Sequence, residues 1–510
     1  MHRARSRRRL ALAVPLALSL TVSLGFLPGT ASAAPADTTA SAAATAAGEL
    51  SYVVNTGTDR HTLASVRRAI TGAGGSVVET YDRIGVFVVH SANPDFALII
   101  RKVPGVQSAG ATRTAPLPAQ STTDVGTPKV LGAEEVAAAQ AADTADGQDP
   151  LEPLQWDLPA IKADKAHEKT LGSPKVTVAV IDTGVDDTHP DIAPNFDRAA
   201  SVNCVSGKPD TTDGAWRPAA DESPHGTHVA GEIAAAKNGI GVTGVAPGVK
   251  VAGIKVATTA GYFYTEAVVC GFMWAAEHHV DVTNNSYYTD PWYFNCTNDP
   301  DQKALVAAIT RASLYAESKG TVNVAAAGNE NYDLDSDAIT DPVSPNDSTP
   351  SDRVIDPHTC YDIPTQLPGV VTVAATGAKG IKSSFSNYGL GVIDVAAPGG
   401  DSTVYQPPAP PAPSGLILGP LPGGRWGYMA GTSMATPHVV GVAALIKSTH
   451  PHASAARIKA LLYAEADATP CTTPYDINGD GKVDAVCQGS AHRNGFYGWG
   501  TVDALKAVTQ

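Results

Sequence analysis

The feature that most constrains this fold is a series of strongly apolar runs that recurs, with helical stretches between them, from Leu151 onward. Such runs are too apolar for strands with one face in water, so they predict strands buried on both faces. Buried strands separated by helices are typical of a parallel sheet with helices on both faces. The sequence therefore predicts an α/β domain over residues 151–510, with strands in KVTVAVID, GVKVAGIKV, HHVDVTNNS, TVNVAAAGN, GVVTVAAT and GVIDVAAPG.

A smaller pattern precedes this domain, between residues 50 and 110. Its segments follow the order β-α-β-β-α-β, which is typical of a small ferredoxin-like α+β module. The flanking segments 34–49 and 111–150 are rich in Ala, Thr, Ser or Asp, and they predict linkers. Within the large domain, segments 331–360 and 401–426 are rich in Pro, Asp, Ser and Gly, so we expect them to be surface insertions.

The N-terminus predicts export from the cell. Arginines precede an apolar run over residues 10–26, and a small-residue site, Ala-Ser-Ala, follows at 31–33. This order is typical of a cleaved signal peptide over residues 1–33. A membrane anchor is the alternative, but a run of about 17 apolar residues containing Pro15 is short for a bilayer span. We therefore expect a secreted, extracellular protein without a membrane anchor.

The cysteine content agrees with an oxidising compartment. The chain has six cysteines, an even number that in an exported protein indicates disulfides. Cys471 and Cys487 bracket a short loop, which makes them the best-supported pair. The simplest arrangement of the other four joins Cys204 to Cys270 and Cys296 to Cys360.

Three short motifs supply the groups that activate a serine nucleophile. They are VAVIDTG around Asp182, HGTHVAG around His225 and GTSMATPHV around Ser433, in that order along the chain. A serine hydroxyl becomes a good nucleophile when a histidine takes its proton and a carboxylate orients that histidine. Asp182 follows an apolar strand, so we expect it at the carboxyl end of the sheet, where α/β sheets carry their sites. His225 and Ser433 precede helical stretches and should lie at helix N-termini.

Together these motifs resemble the three signature blocks of the subtilisin-like serine peptidases, and the resemblance extends over roughly residues 151–510. It implies a subtilisin-like fold and a triad of Asp182, His225 and Ser433. It also implies that the first histidine of HGTHVAG, His225, is the base and that His228 is structural. Chemistry alone would not choose between the two histidines.

Two further segments match family positions near the substrate. Asn329 of AAAGNE corresponds to the asparagine whose side-chain amide donates to the oxyanion. The segment NNSYYTD corresponds to the substrate-binding segment, in which the family usually has a serine, a small residue and a glycine. Here Ser286 is followed by Tyr287 and Tyr288. The two rings either narrow the cleft beside the pocket for the residue before the cut bond, or pack under the nearby DPWYFNC segment.

The resemblance also gives the N-terminal module a role. A small β-α-β-β-α-β unit over residues 50–110, ahead of a subtilisin-like domain, resembles the family's inhibitory pro-segment. It would assist folding and then inhibit the catalytic domain as an intramolecular ligand. Self-cleavage is expected in the tether, between about residues 110 and 153.

Calcium is the expected cofactor, in a structural role. The segment AAAKNGIGV matches the family's calcium loop, and Asp191 and Gln155 match two further ligands. The loop itself would supply the side chain of Asn238 and the carbonyls of Ala236, Ile240 and Val242. These are hard oxygen donors of the kind that calcium prefers.

A second calcium candidate is the segment DINGDGKVD. Position 12 of this EF-hand-like loop is Cys487 rather than glutamate, so the bidentate ligand is missing. A plain turn of Asx residues and glycines is the alternative. The side chains at ligand positions 1, 3, 5 and 9 are Asp476, Asn478, Asp480 and Asp484.

The expected function is that of a secreted serine endopeptidase that cuts peptide bonds through an acyl-enzyme and is made as a self-processing zymogen. The net charge of −14 argues against nucleic acid as a partner. The resemblance implies a protein or peptide substrate, with the chain's own pro-segment as an intramolecular inhibitor. We expect a monomer. The tyrosine pair favours a processing protease over a nutrient-scavenging one. The alternative class is a catalytically inactive subtilisin-like binding protein, which would usually lack a triad or oxyanion residue.

Overall fold

The computed structural model describes residues 48–115, 128–142, 147–471 and 473–510. The predicted signal peptide over residues 1–33 lies outside the described residues. In chain order the strands are β1 (Leu50–Thr56), β2 (Gly75–Tyr81), β3 (Val86–Ser91), β4 (Val106–Ala111), β5 (Lys129–Val130), β6 (Thr177–Asp182), β7 (Val202–Asn203), β8 (Lys250–Lys255), β9 (Val282–Asn285), β10 (Asn295–Cys296), β11 (Val322–Ala326), β12 (Ile339–Asp341), β13 (Arg353–Ile355), β14 (Cys360–Tyr361), β15 (Val371–Thr376), β16 (Val395–Pro398), β17 (Ile417–Leu421) and β18 (Arg425–Met429).

The helices are interleaved with these strands. A short 3₁₀ helix, Glu152–Leu154, opens the large domain. The α-helices are α1 (Arg60–Gly72), α2 (Phe96–Ile100), α3 (Ala133–Ala141), α4 (Asp157–Ala160), α5 (Ala163–His167), α6 (His225–Ala234), α7 (Thr265–Glu277), α8 (Pro300–Ser318), α9 (Thr432–Thr449), α10 (Ala455–Glu465) and α11 (Ala504–Thr509). No helix among the described residues is long and apolar enough to cross a membrane.

A seven-stranded parallel sheet forms the centre of the large domain, in the order β16-β15-β11-β9-β6-β8-β7. Six of these strands are the predicted apolar runs, and the seventh, β7, has two residues and escaped prediction. Successive residues of β6 face opposite layers. Val178 and Val180 join a core with residues of α6 and α9, whereas Ala179 and Ile181 join a core with residues of α7 and α8. The predicted α/β architecture is therefore confirmed.

The N-terminal module has the predicted order of elements. Its four strands pair antiparallel in the order β2-β3-β1-β4. Alternation along β1 again divides the side chains between two cores. Tyr52 and Val54 pack with α1 and α2, whereas Val53 joins the core that contains α7 and α8. One face of the small sheet is therefore covered by its own helices, and the other face lies on the large domain.

The linker predicted over residues 111–150 is more ordered than its composition indicates. Its described part contains β5, which pairs with β18, and the helix α3. Leu131 is buried with Trp426, and Val136 of α3 packs against the same cluster. The few apolar residues in this Ala-rich stretch find an apolar surface on the large domain, which a sequence pattern alone does not display.

The segments predicted as surface insertions also need correction. Segment 401–426 ends in the β17-β18 hairpin, where Ile417 and Leu418 are at most 1% exposed. Segment 331–360 contributes the β12-β13 pair and the start of β14. The Pro and Gly content indicated turns correctly, but it did not reveal that apolar residues between the turns are buried.

The predicted Cys471–Cys487 disulfide is present, and the other four cysteines pair in the simplest arrangement. Cys204 is bonded to Cys270, Cys296 to Cys360 and Cys471 to Cys487. The first fastens the loop after β7 to α7, and the second joins the paired strands β10 and β14.

Candidate active site

The carboxyl end of β6 brings Asp182 against the first residue of α6, His225. The histidine Nδ1 lies 2.8 Å from Asp182 Oδ1 and 3.0 Å from Oδ2. Both residues are buried, and the N–H of Thr183 also donates to Asp182 Oδ1, over 2.7 Å. The carboxylate therefore holds the ring with Nδ1 as the donor, which leaves Nε2 as the atom that can take a proton.

This close approach of helix and strand depends on the glycine after His225. A Cβ atom on Gly226 would lie 2.4 Å from the carbonyl oxygen of Gly184 and 3.1 Å from Asp182 Cβ. The N–H of Gly226 instead donates to Thr183 Oγ1 over 2.9 Å. Gly226 therefore allows His225 to reach the Asp182 carboxylate.

Ser433 lies in the first turn of α9, as predicted. Its Oγ donates to the carbonyl oxygen of Ser286 over 3.3 Å, and Ser286 Oγ donates back to the carbonyl oxygen of Ser433 over 3.0 Å. No hydrogen bond joins the described side chains of Ser433 and His225, although both line one cavity. Such contacts are often long in the absence of substrate and shorten when it binds.

Asn329 follows β11 and reaches the start of α9. Its Oδ1 accepts hydrogen bonds from the backbone N–H and the hydroxyl of Thr432, over 2.8 and 3.0 Å. These two donors fix the orientation of the amide. In the described part of the chain nothing accepts a hydrogen bond from Asn329 Nδ2, which is a free donor on the cavity that contains Ser433.

A cavity of about 310 Å³ is lined by His225, Asn329 and Ser433. Its wall combines aromatic rings with acidic groups, and its lining residues include no lysine or arginine. The aromatic members are Phe263, Tyr287, Tyr288 and Tyr293. The acidic members are Asp290, Glu330 and Asp362.

The sequence left open whether Tyr287 and Tyr288 line the cleft or pack under the DPWYFNC segment, and the pair does both. Tyr287 stacks on Phe263 with ring centres 4.6 Å apart, and its hydroxyl donates to Asn285 over 3.0 Å. Tyr288 packs against Tyr293 of the DPWYFNC segment, also at 4.6 Å. Because both rings line the cavity as well, the packing of the pair also shapes the cleft.

His228 does not line the cavity, and both of its ring nitrogens are engaged by the protein. Its Nδ1 is 2.6 Å from Glu232 Oε1, and its Nε2 is 3.1 Å from the carbonyl oxygen of Gly427. Burial lowers the pKa of His228 to about 3 and raises that of Glu232 well above its ordinary value. A neutral hydrogen-bonded pair thus anchors α6 to the β17-β18 hairpin.

The residues of the first predicted calcium loop lie together around Asp191. Asp191 Oδ2 accepts hydrogen bonds from the N–H of Val242 and from Trp426 Nε1, over 3.0 and 2.7 Å. Its Oδ1 is buried and has no hydrogen-bond partner in the described chain, which suits an oxygen ligand of calcium. Burial raises the pKa of this carboxyl to about 6. A cation at this position would stabilise the ionised form.

The remaining residues of that loop are engaged by the protein. Gln155 exchanges two hydrogen bonds of 2.9 Å with the backbone of Thr243. Asn238 donates to the carbonyl oxygen of Pro190 over 3.0 Å, and its Oδ1 accepts from the N–H of Ile240. Ala236 donates its N–H to the carbonyl oxygen of Asp191 over 2.7 Å. The loop is preorganised around one unpartnered carboxylate oxygen.

The second predicted calcium loop, residues 476–484, forms a plain turn of Asx residues and glycines, which was the alternative to a calcium site. Asp476 accepts hydrogen bonds from the N–H groups of Gly479, Asp480 and Gly481. The side chains of Asn478 and Asp480 accept from the N–H groups two residues ahead, and Asp484 accepts from that of Ile477. Among the described residues, no three His, Cys, Asp or Glu side chains converge in a way that could hold a metal ion.

The sequence motifs did not predict the acidic part of the cavity. Asp290 is in the substrate-binding segment but was not singled out, and Glu330 directly follows Asn329. Asp362 comes two residues after Cys360, in a stretch without an apolar run to mark its place. Only the disulfide to Cys296 could have indicated that this stretch returns to the DPWYFNC segment, which directly follows the substrate-binding segment.

Known proteins resemble this chain in sequence. The Subtilase family matches residues 173–500. Subtilisin Savinase of Lederbergia lenta is 31% identical over 332 residues, which cover 65% of this chain and 97% of that protein. Subtilisin E of Bacillus subtilis is 33% identical over 313 residues, which cover 61% of this chain and 66% of that protein.

Solved structures extend the likeness to the fold. The epidermin leader peptide processing serine protease of Staphylococcus aureus superposes with a TM-score of 0.64 at 23% identity, covering 90% of this chain and 98% of that one. Fervidolysin of Fervidobacterium pennivorans, a keratinolytic enzyme, has a TM-score of 0.57 at 24% identity, covering 91% and 61%. At these identities the likeness is one of fold.

Proposed function

Since the chain belongs to the subtilase family and is a serine endopeptidase, we propose that Asp182, His225 and Ser433 are its catalytic triad, in an enzyme exported as a zymogen. The observation that carries the assignment is the buried contact between His225 Nδ1 and the Asp182 carboxylate, beside a cavity that Ser433 also lines. Its substrates are proteins, and it acts as a secreted monomer.

In the proposed reaction, Ser433 Oγ attacks the carbonyl carbon of the peptide bond while His225 Nε2 takes the hydroxyl proton. Asp182 stabilises the imidazolium that forms. His225 then gives the proton to the leaving amine, and water repeats the sequence on the acyl-enzyme. The orientation of His225 is already fixed by Asp182, and the Ser433 hydroxyl has to leave the Ser286 carbonyl before it can donate to His225.

Asn329 is proposed as the oxyanion donor. Thr432 holds its Oδ1, so its Nδ2 can donate to the negative charge that develops on the substrate oxygen. The backbone N–H of Ser433, in the first turn of α9, is proposed to add to this stabilisation, since the N–H groups of Thr432 and Met434 already donate to Asn329 and Gly431. Ser286, Tyr287 and Tyr288 would bind the substrate backbone and side chains along the cavity.

The N-terminal module is proposed to be the inhibitory pro-segment. Polar contacts at its interface with α8 support this role. Asn55 Nδ2 donates to the carbonyl oxygen of Ala304 over 2.9 Å, and Asp301 accepts from the N–H of Ala111 over 2.9 Å. Arg311 donates to the carbonyl oxygen of Thr56 over 2.9 Å.

The chain that follows the module is anchored on the large domain. Arg113 forms a buried ion pair with Glu266, and its guanidinium lies 3.8 Å from the ring centre of Tyr264. The N–H of the next residue, Thr114, donates to Asp347 over 2.8 Å. A chain anchored in this way beside the cleft would obstruct substrate until the tether is cut.

The experiment that tests the triad is fluorophosphonate labelling of the secreted protein, followed by peptide mass spectrometry. We expect one labelled residue, Ser433, because only a serine activated by a base reacts readily with such probes. Intact mass would also show whether residues 1–33 and the pro-segment have been removed. A secreted, folded protein with no label on Ser433 would instead support the inactive binding protein.

A structural calcium ion is proposed at the first loop, held by Asp191, Asn238 and Gln155 with carbonyls of Ala236, Ile240 and Val242. Calcium at about 100 times its Kd would add about 2.7 kcal/mol to the free energy of unfolding, so chelation should lower Tm by several degrees. Calorimetry with and without chelator checks this expectation.

Two matched variants separate the two candidate calcium loops. The Asp191→Asn variant should lose the response to chelator, whereas Asp476→Asn should keep it. The reverse pattern would move the site to the second loop, and an unchanged Tm in the wild-type protein would rule out both.

A further inference from the structure

The cavity beside Ser433 combines acidic side chains with burial. Asp290 and Asp362 are each 1% exposed, and Glu330 lies at the exposed mouth. Among its lining residues, His225 is the one basic side chain, and His225 is committed to Asp182. Three acidic groups thus surround a cleft that must accept a substrate side chain.

Two of these three acids each accept at least two hydrogen bonds from the protein. Asp290 accepts hydrogen bonds from the backbone N–H of Phe263 and from Asn346 Nδ2, over 2.5 and 2.6 Å. Glu330 accepts from the N–H of Asn329 over 2.8 Å and from the hydroxyl of Tyr293. The protein thus supplies donors that could stabilise a negative charge on either group.

Asp362 is different. Its Oδ1 is buried and has no hydrogen-bond partner in the described chain, although its backbone N–H donates to Gln366 over 2.8 Å. A buried carboxylate oxygen without a donor is costly, and a carboxylate without a cation more so. Burial, and then the charge of Glu330, raise the pKa of Asp362 well above its ordinary value. A cation that enters the cavity and donates to Asp362 would supply both the missing hydrogen-bond donor and the missing positive charge.

The cation is better supplied by a substrate than by a metal. In the described chain no cluster of three acidic, histidine or cysteine side chains could hold a metal ion, and Asp362 shares its part of the cavity with tyrosine rings. Tyrosine faces attract guanidinium and ammonium groups. The aliphatic stem of a lysine or arginine also packs well on aromatic walls.

The same protein already neutralises one buried acid in this way. Glu266 is 1% exposed, and its partner is Arg113, which follows the N-terminal module and lies over the ring of Tyr264. Burial raises the pKa of Glu266, but the charge of Arg113 and hydrogen bonds outweigh it, so the pKa lies below its ordinary value. An acid, a tyrosine ring and a basic side chain therefore form a stable buried set in this fold.

We propose that the cavity binds an arginine or lysine side chain of the substrate at P1, the residue whose carbonyl group Ser433 attacks, and that Asp362 determines this preference. The proposal rests on the proposed function, because P1 is defined by attack of Ser433. The substrate class is then proteins cut after a basic residue. A dedicated processing protease fits such a preference better than a broadly degradative one.

The test compares peptides that differ only at P1, with Arg, Lys, Phe, Leu or Gln, using the mature secreted enzyme. We expect kcat/KM for Arg and Lys to exceed that for Phe by about 100-fold, as for a buried, hydrogen-bonded charge pair. In the Asp362→Asn variant the ratio of Arg to Phe should fall by a similar factor. A control variant, Asp394→Asn, alters a half-buried carboxylate outside this cavity and should leave the ratio unchanged.

Several results would overturn the proposal. A wild-type preference for Phe or Leu would do so by itself, even if Asp362→Asn failed to fold. An equal loss of activity on all peptides in Asp362→Asn would show that Asp362 has a structural role only. In both cases labelling of Ser433 would persist, so the proposed function would stand. Absence of label together with absence of any cleavage would reject the proposed function and this proposal together.

Discussion

Replacing Ser433 by alanine is expected to lower kcat on a peptide substrate by about six orders of magnitude. The nucleophile is lost, while the oxyanion donor and the substrate cavity remain and account for the residual rate. The same change should leave the precursor uncut, with residues 50–110 still joined to the large domain. Peptide hydrolysis assays and intact mass spectrometry of the secreted protein measure both effects.

A matched control for this change is Ser454→Ala. Ser454 caps the N-terminus of α10 and accepts a hydrogen bond from the N–H of Arg457 over 3.3 Å. Its loss should cost about 1 kcal/mol of stability and leave kcat unchanged. Substantial activity in the Ser433→Ala protein would place the nucleophile elsewhere. A processed but inactive Ser433→Ala protein would retain the triad and show that another protease performs the cleavage.

The parts of this site that sequence could predict are those tied to local pattern. Asp182 ends an apolar run and His225 and Ser433 begin helices, so each position follows from one element. Periodicity and short motifs are local properties, and they also identified the β-α-β-β-α-β module and six strands of the central sheet. The Cys471–Cys487 pair followed from the short loop that it closes, whereas the sequence left the pairing of the other four cysteines open.

The parts that could not be predicted depend on contacts between distant segments. Asp362 reaches the cavity through the returning strand β14, which carries no strong local pattern. The β17-β18 hairpin was hidden in a segment rich in Pro and Gly, and α3 in an Ala-rich linker. In each case a few apolar residues are buried by a surface formed elsewhere in the chain. Tertiary packing therefore overrode composition at these places.

The other large effect is expected from Asp182→Asn, which keeps the shape of the side chain but removes its charge. We expect kcat to fall by about four orders of magnitude near neutral pH, because an amide would favour the wrong tautomer of His225 and would not stabilise the imidazolium. The fold should survive, since the asparagine oxygen can still accept from the N–H of Thr183. Steady-state kinetics and thermal unfolding of the purified variant test both statements.

Asp187 is the matched control for Asp182, because it is a buried aspartate that is expected to serve stability and not catalysis. Asp187 is also fully buried, but its carboxylate pairs with Arg217 and Arg198 and does not line the cavity. Asp187→Asn should lower the free energy of unfolding by about 1 to 3 kcal/mol, because two arginines lose their ionised partner and one of its two accepting oxygens, and should leave kcat nearly unchanged. If Asp182→Asn instead lost stability and retained kcat, the Asp182 carboxylate would serve the fold alone and His225 would need another orienting group.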